Sequence, residues 1–119
     1  MKLVTKVYGI LVNDKDQILL KRDDLTLPNG DIVPGEDLIT TIRRVVEEKT
    51  NIPLIDVILF DQESKIEQDH TLGIFFIGNF YRKDRERNNQ DYGWYKIKKL
   101  ERNNLDLFTK FIVEQIIGD

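Results

Sequence analysis

The sequence predicts an α/β protein in which a mixed central sheet lies between helices, an α/β/α sandwich. Short runs rich in β-branched and aromatic residues flank one central helical segment. A second amphipathic pattern closes the chain, and polar turn residues separate the runs. With 119 residues, the chain is long enough for one domain, residues 1–119, with a modest hydrophobic core.

The first two predicted strands cover residues 3–12 (LVTKVYGILV) and 17–22 (QILLKR). Both runs are rich in apolar and β-branched residues, and four polar residues, 13–16, separate them. Because the connection is this short, we predict that the two strands pair with each other as a hairpin.

A tight turn and the central helix follow. Residues 27–30 (LPNG) predict the turn, since the proline fixes its own φ and Asn29 and Gly30 both adopt positive φ at low cost. A second kink is expected at residues 34–35. The helix is predicted from about residue 37 to residue 50, and Asn51 can end it in the left-handed conformation.

The rest of the chain predicts three more strands and one helix. The strands are 54–60, 71–81 and 91–97, with a polar connection at 61–69 and a charged one at 82–91. The charged connection is either a solvated loop or a segment that attracts a phosphorylated ligand. The helix is expected over residues 104–117, with Asn104 as its N-cap.

Composition excludes several classes of protein. The net charge is −3 with 33% charged residues, so no overall field favours a nucleic acid polymer or a membrane surface as partner. The absence of cysteine excludes disulfides and thiolate sites and is in keeping with the cytoplasm. The N-terminus does not have the pattern of a signal peptide, and no apolar run reaches the length of a membrane span.

Residues 30–52 resemble the box of the Nudix hydrolases, which reads G-x5-E-x7-R-E-U-x-E-E-x-G-U with U aliphatic. The alignment needs no gap. The matching positions are Gly30, Glu36, Arg44, Val46, Glu48 and Ile52. Three positions depart from the box: Val45 and Lys49 replace glutamates, and Asn51 replaces a glycine. The last change is benign, because asparagine is the next best residue for a left-handed cap.

The resemblance covers essentially the whole chain and implies a MutT-like Nudix fold. It further implies metal-dependent cleavage of a diphosphate linkage in a nucleotide or a nucleoside diphosphate derivative. Magnesium or manganese would be the cofactor of an active enzyme, and an inactive protein would need none. The expected ligand is a phosphorylated, nucleotide-like small molecule, and the protein is expected to be a monomer or a homodimer.

The same resemblance assigns roles to individual residues. Glu48 would be the surviving metal ligand and Arg44 would orient it, while Glu47 or Asp91 would substitute for the missing ligands. The phosphate-binding residues, again by resemblance or by position in the box, are Arg22, Lys49 and Gly30.

The two replaced glutamates leave the function open. Positions 45, 48 and 49 share one face of a helix, and magnesium needs oxygen ligands there. A lysine about 4 Å from a divalent ion would be repelled by roughly 8 kcal/mol before solvent screening. A plainer interpretation is that Val45 extends the core and Lys49 complements the helix dipole.

Two functions therefore remain. One is a weak Nudix-type hydrolase, and the other is a catalytically inactive Nudix-fold protein that binds a phosphorylated ligand or a protein partner. Whether the protein is an enzyme stays open at this point.

Overall fold

The computed structural model describes residues 2–67, 69–87 and 90–118. Most of this part of the chain lies in strands and helices joined by short connections. The elements are β1 (Leu3–Ile10), β2 (Gln17–Lys21), β3 (Asn29–Asp31), α1 (Leu38–Thr50), β4 (Asp56–Ile66), β5 (His70–Asn79), β6 (Tyr92–Lys96) and α2 (Leu107–Ile117).

The strands form a mixed four-stranded sheet and a separate pair. The order in the larger sheet is β3-β1-β5-β4, in which β1 and β5 are parallel and the other neighbours are antiparallel. Strands β2 and β6 form the antiparallel pair. The predicted mixed sheet is confirmed.

Successive apolar side chains of the central strands point to opposite faces of the larger sheet. Each face therefore carries a hydrophobic core. On one face, Val7 and Phe76 belong to a cluster with Val46 of α1. On the other face, Tyr8 and Phe75 pack with α2, mainly through the three residues Phe108, Ile112 and Val113. One helix therefore lies on each side, which confirms the predicted α/β/α sandwich.

The predicted hairpin between the first two strands is wrong. β1 lies between β3 and β5, and β2 pairs with β6. The two segments meet next to the turn, where Val12 bridges Ile18 and the Leu19 N–H donates to the Leu11 carbonyl at 3.1 Å. The reason is that β1 is apolar on both faces and is stabilised as a central strand with a neighbour at each edge. All eight residues of β1 pair with β5, and residues 6–8 also pair with β3, so other strands occupy both of its edges.

The polar segment 61–69 was predicted as a connection, but β4 continues to Ile66. This edge strand pairs with β5 over its length, with a register shift between Leu59 and Asp61. Its polar side chains reach across to α2 instead of leaving the sheet: Gln115 Nε2 donates to Asp61 Oδ2 at 2.8 Å. The segment forms a strand because it pairs with β5, although its low apolar content does not predict one.

The last helix begins later than predicted. Asp106 is its N-cap, and its carboxylate accepts hydrogen bonds from the backbone N–H groups of Phe108 and Thr109 at 3.1 and 3.4 Å. Asn104 lies in a preceding 3-10 turn. A carboxylate is the better cap because its negative charge also complements the helix dipole.

Helix α1 has the ends that the sequence predicts. Asp37 caps its start by accepting from the Thr40 N–H at 2.7 Å, and Asn51 ends it with a φ of 62°. The predicted kink is present at Gly35, whose φ is 85°. Within the described residues, neither α1 nor α2 is long and apolar enough to span a membrane.

Candidate functional site

Gly30 brings β3 into direct contact with α1. A Cβ atom on Gly30 would lie 2.7 Å from Cγ2 of Val45, which is well inside contact distance. Val45 is only 3% exposed and belongs to the core. The predicted reason for the glycine, a positive φ, is wrong, because the glycines with positive φ in the described chain are Gly35 and Gly118. Gly30 is required for space, and Val45 fills that space.

Arg44 connects the loop before α1 with the last turns of the helix. Its Nε and Nη2 atoms donate to the Glu36 carboxylate at 3.2 and 3.0 Å, and its Nη1 donates to Glu48 Oε2 at 3.3 Å. Thr41 Oγ1 donates to Glu36 at 2.8 Å. The hydrogen bonds from Arg44 and Thr41 hold the pKa of Glu36 below its ordinary range, and Glu36 raises the pKa of Arg44. The contact that would let Arg44 orient Glu48 is thus present.

The acidic residues suggested as metal ligands, Glu47, Glu48 and Asp91, do not form one ligand group in the described residues. Glu47 lines a recess with Thr40 and Arg43, and Asp91 lies just before β6, where its carbonyl accepts from the Arg22 N–H at 2.8 Å. Within residues 2–67, 69–87 and 90–118, no three His, Asp or Glu side chains are arranged as a metal site. The donor set around Lys49 and the buried Val45 does not fit the divalent ion that the Nudix resemblance implies.

A cleft of about 350 Å³ opens beside the last turn of α1. Four lysines line it, each from a different element of the fold: Lys6 of β1, Lys21 of β2, Lys49 of α1 and Lys65 of β4. The other lining residues are Tyr8, Asp24, Thr26, Asn29, Glu67, Thr71, Tyr92 and Asp106.

The carboxylates of the cleft are already engaged with the protein. Lys65 is largely buried, and its Nζ lies 2.9 Å from Asp106 and 3.8 Å from Glu67. Asp24 Oδ1 accepts from the hydroxyl and N–H of Thr26 at 2.7 and 3.3 Å. Lys65 offsets part of the charge of Asp106 and Glu67, and the hydrogen bonds from Thr26 satisfy Asp24 without removing its charge.

Lys6 and Lys21 have weaker partners. Their Nζ atoms lie 3.6 Å from Asp31 and 3.9 Å from Asp23, two carboxylates that are mostly exposed to solvent. Exposed pairs of this length contribute little stability, because both side chains are solvated and flexible. Neither aspartate lines the cleft, so the two ammonium groups can turn toward a bound anion.

Two tyrosines complete the wall of the cleft. Burial, reinforced by the Asp106 carboxylate, raises the pKa of Tyr8 far above its ordinary value. Burial, followed by the charge of Asp24, raises the pKa of Tyr92 to about 12. Both phenols therefore keep their protons at neutral pH and are neutral hydrogen-bond donors.

Arg22 does not line this cleft. It lines an adjoining recess of about 220 Å³, together with Arg85, Arg87 and Trp94. Tyr92 forms part of both walls. The predicted phosphate-binding residues are thus divided: Lys49 lines the cleft, Gly30 packs against Val45 of α1, and Arg22 lines the neighbouring recess.

Sequence reasoning missed Lys6, Tyr8 and Lys21 as site residues. A signal existed in β1, because Lys6 and Tyr8 are two residues apart and project from the same face of an otherwise apolar strand. Lys21 and Tyr92 had no local signal, since they meet only through the pairing of β2 with β6.

Solved structures share this fold. A MutT Nudix hydrolase from Burkholderia pseudomallei is 20% identical with a TM-score of 0.76, covering 98% of this chain and 99% of that one. A Nudix hydrolase from Nitrosomonas europaea is 19% identical with a TM-score of 0.76, covering 97% and 90%. A MutT protein from Methanosarcina mazei Go1 is 22% identical with a TM-score of 0.73, covering 98% and 94%.

No protein-family model matches the chain, and no curated protein matches it either. The likeness to the solved structures establishes the class of fold, that of the Nudix hydrolases. More particularly, the chain has the MutT-like form of that fold. The resemblance first seen in residues 30–52 is confirmed at the level of the fold.

Proposed function

We propose that the cleft binds a phosphorylated, nucleotide-like small molecule. The observation that supports this is the convergence of Lys6, Lys21 and Lys49 from three elements on one concave site. Ammonium groups bind phosphate as point charges and donate up to three hydrogen bonds each. The protonated hydroxyls of Tyr8 and Tyr92 add neutral donors.

The size of the cleft supports a small ligand. About 350 Å³ is at the lower end of the range for small-molecule pockets and suits a nucleotide-sized ligand. A nucleic acid polymer would instead require an extended basic surface, and the net charge of −3 does not favour one. We further propose that residues 1–119 form a single domain, which acts in the cytoplasm as a monomer or a homodimer.

Hydrolysis of a diphosphate linkage is the second candidate. The observation that favours it is the bridge from Arg44 to both Glu36 and Glu48, which holds the surviving box glutamate in place. Magnesium or manganese would be required. Within the described residues, Glu47, Glu48 and Asp91 do not form a group of three carboxylates that could hold the ion. Binding without efficient turnover is therefore the better supported function.

Calorimetric titration and product release would test both candidates on one panel. The panel contains nucleoside triphosphates, dinucleoside polyphosphates, nucleotide sugars and ADP-ribose, each with magnesium, manganese or chelator. We expect at least one compound to bind, and Lys49→Gln to weaken its binding about tenfold. Lys99→Gln is the matched control, since Lys99 is exposed outside the cleft.

The two candidates give different results with Glu48→Gln. Loss of metal-dependent turnover in this variant would establish the hydrolase. Unchanged binding in Glu48→Gln with no turnover in the wild type would establish the binding protein. Failure of every compound to bind, with or without metal, would contradict the proposal.

A further inference from the structure

We propose that the cleft takes its phosphorylated ligand in the metal-free form, with Lys49 in place of a divalent ion, so that magnesium weakens binding. This inference rests on the proposed function, and it reverses the metal dependence that the Nudix resemblance implies.

The first step concerns the three positions of α1 at which the Nudix resemblance implies metal ligands. Positions 45, 48 and 49 lie within about one turn, and of the three Lys49 is the one that lines the cleft. Val45 is packed against Gly30 in the core and presents no oxygen. Lys49 lines the cleft and brings a positive charge to it. Glu48 is 63% exposed and is bound by Arg44. One carboxylate does not supply the several oxygens that magnesium requires.

The second step concerns the charge that a ligand meets. The lining carboxylates Asp106 and Glu67 bind Lys65, and Asp24 accepts hydrogen bonds from Thr26. In the described part of the chain, four lysines and three carboxylates line the cleft, and two of these lysines, Lys6 and Lys21, lie 3.6 and 3.9 Å from exposed aspartates outside it. The field at the ligand therefore favours the more negative of two ligand forms.

The third step follows from magnesium chemistry. Binding of Mg²⁺ to a di- or triphosphate reduces the charge of the anion by two and occupies the oxygens that the lysines would contact. The complexed ligand then brings a divalent cation close to Lys49, where it is repelled. Magnesium thus removes the form that the cleft binds. Magnesium therefore competes with the cleft for the phosphate oxygens of the ligand. In a metal-dependent hydrolase it would instead be a cofactor.

Titration with pyrophosphate and with ATP would test this inference. Affinity is measured by calorimetry in chelator and at increasing free Mg²⁺, with sodium salt added to keep the ionic strength constant. When nine-tenths of the probe is complexed, only one-tenth is competent, and we expect the apparent affinity to fall about tenfold. Equal or tighter binding with magnesium would overturn the inference and leave the proposed function standing. No binding of either probe in either condition would also overturn the inference, and the proposed function itself is overturned when the rest of the nucleotide panel fails to bind as well.

Variants of Lys49 test its part in this effect. In Lys49→Glu, the probe is expected to bind poorly in chelator and better when magnesium is added, which reverses the sign of the metal effect. Lys49→Met is expected to bind more weakly than the wild type, without that reversal. Lys99→Glu provides the same charge change outside the cleft and should behave as wild type. Wild-type magnesium dependence in a folded Lys49→Glu variant would overturn the role of Lys49.

Discussion

Gly30 of β3 and Val45 of α1 pack directly against each other. The glycine was predicted for its freedom in φ, and the structure requires it for the approach of β3 to α1. The space next to Gly30 is filled by an aliphatic side chain. The two positions therefore depend on each other, and a change in one is best tested together with a change in the other.

Gly30→Ala is expected to lower the free energy of unfolding by about 1–3 kcal/mol, because the new methyl group would overpack against Val45. In Gly30→Ala/Val45→Ala, the smaller side chain at position 45 makes room for the methyl group. We expect the double variant to lose less stability than the sum of the two single variants in urea denaturation. Simple additivity of the two losses would show that the contact is not the cause.

Two buried threonines of the helices differ in whether their hydroxyls are satisfied. Thr50 Oγ1 donates to the Val46 carbonyl at 2.7 Å and accepts from the Ile52 N–H at 3.2 Å. Thr109 Oγ1 is fully buried and has no hydrogen-bond partner in the described part of the chain. A buried hydroxyl without a partner carries a desolvation cost that its hydrogen bonds do not offset.

Thr109→Val is therefore expected to leave the free energy of unfolding unchanged or to raise it by up to about 1 kcal/mol. Thr50→Val is the matched control and should lower it by about 1–2 kcal/mol, because the Val46 carbonyl and the Ile52 N–H lose their partner. Thermal or urea unfolding of the two variants provides the comparison. An equal loss in both would contradict the interpretation of Thr109.

At the scale of elements, Arg44 joins the loop before α1 to the helix itself. Its two bonds to Glu36 span eight residues, and its bond to Glu48 spans one turn. The loop that contains Gly35 is thus held against the helix by a charged pair, and Thr41 supports the same carboxylate. The stability of this connection depends on the ionisation of Glu36.

The pKa of Glu36 is lower in the folded protein than its ordinary value of 4.5, first because Arg44 donates to it and then because Thr41 does. The stabilisation is complete above pH 4.5 and is lost as the pH falls through the lowered pKa. We expect Glu36→Gln to reduce the fall in unfolding free energy between pH 4.5 and more acidic conditions. Thr41→Val should reduce it less. An acid profile of Glu36→Gln that parallels the wild type would contradict this assignment.

At the scale of the whole molecule, the cleft exists only because distant parts of the chain meet. Its lysines come from β1, β2, α1 and β4, and its tyrosines from β1 and β6. The same assembly buries Val45 and directs Lys49 to the cleft. Restoring both box glutamates therefore tests the site as a unit.

Val45→Glu/Lys49→Glu is expected to unfold at a lower temperature than the wild type in chelator, because a carboxylate replaces a buried valine. Magnesium should raise the melting temperature of this variant by several degrees, since an ion that binds only the folded state stabilises it. The wild type should show no such rise. Magnesium-dependent pyrophosphohydrolase activity should also appear or increase if the box substitutions are what limit it.

Lys49→Glu alone is the control for the surface charge change. If magnesium stabilises the single variant as much as the double one, position 45 contributes nothing to the metal site. If neither variant responds to magnesium although both fold, the loss of metal binding has another cause than these two substitutions.

The sequence alone determined the features that depend on neighbouring residues. The caps of α1 and the kink at Gly35 depend on contacts between residues that are close in the chain. The same is true of the contact from Arg44 to Glu48, which spans one helical turn. The order of the strand-like and helical segments along the chain predicted the sandwich. These features were predictable because helix capping, turn formation and side-chain periodicity are local properties.

The pairing of the strands and the composition of the site depend on contacts between distant parts of the chain. β1 pairs with β5 across some 60 residues, and this pairing replaced the expected hairpin with β2. The same long-range contacts bring Lys6 and Lys21 to Lys49 and leave Arg22 in a separate recess. Such contacts depend on how whole elements pack, and no property of a short segment contains that information.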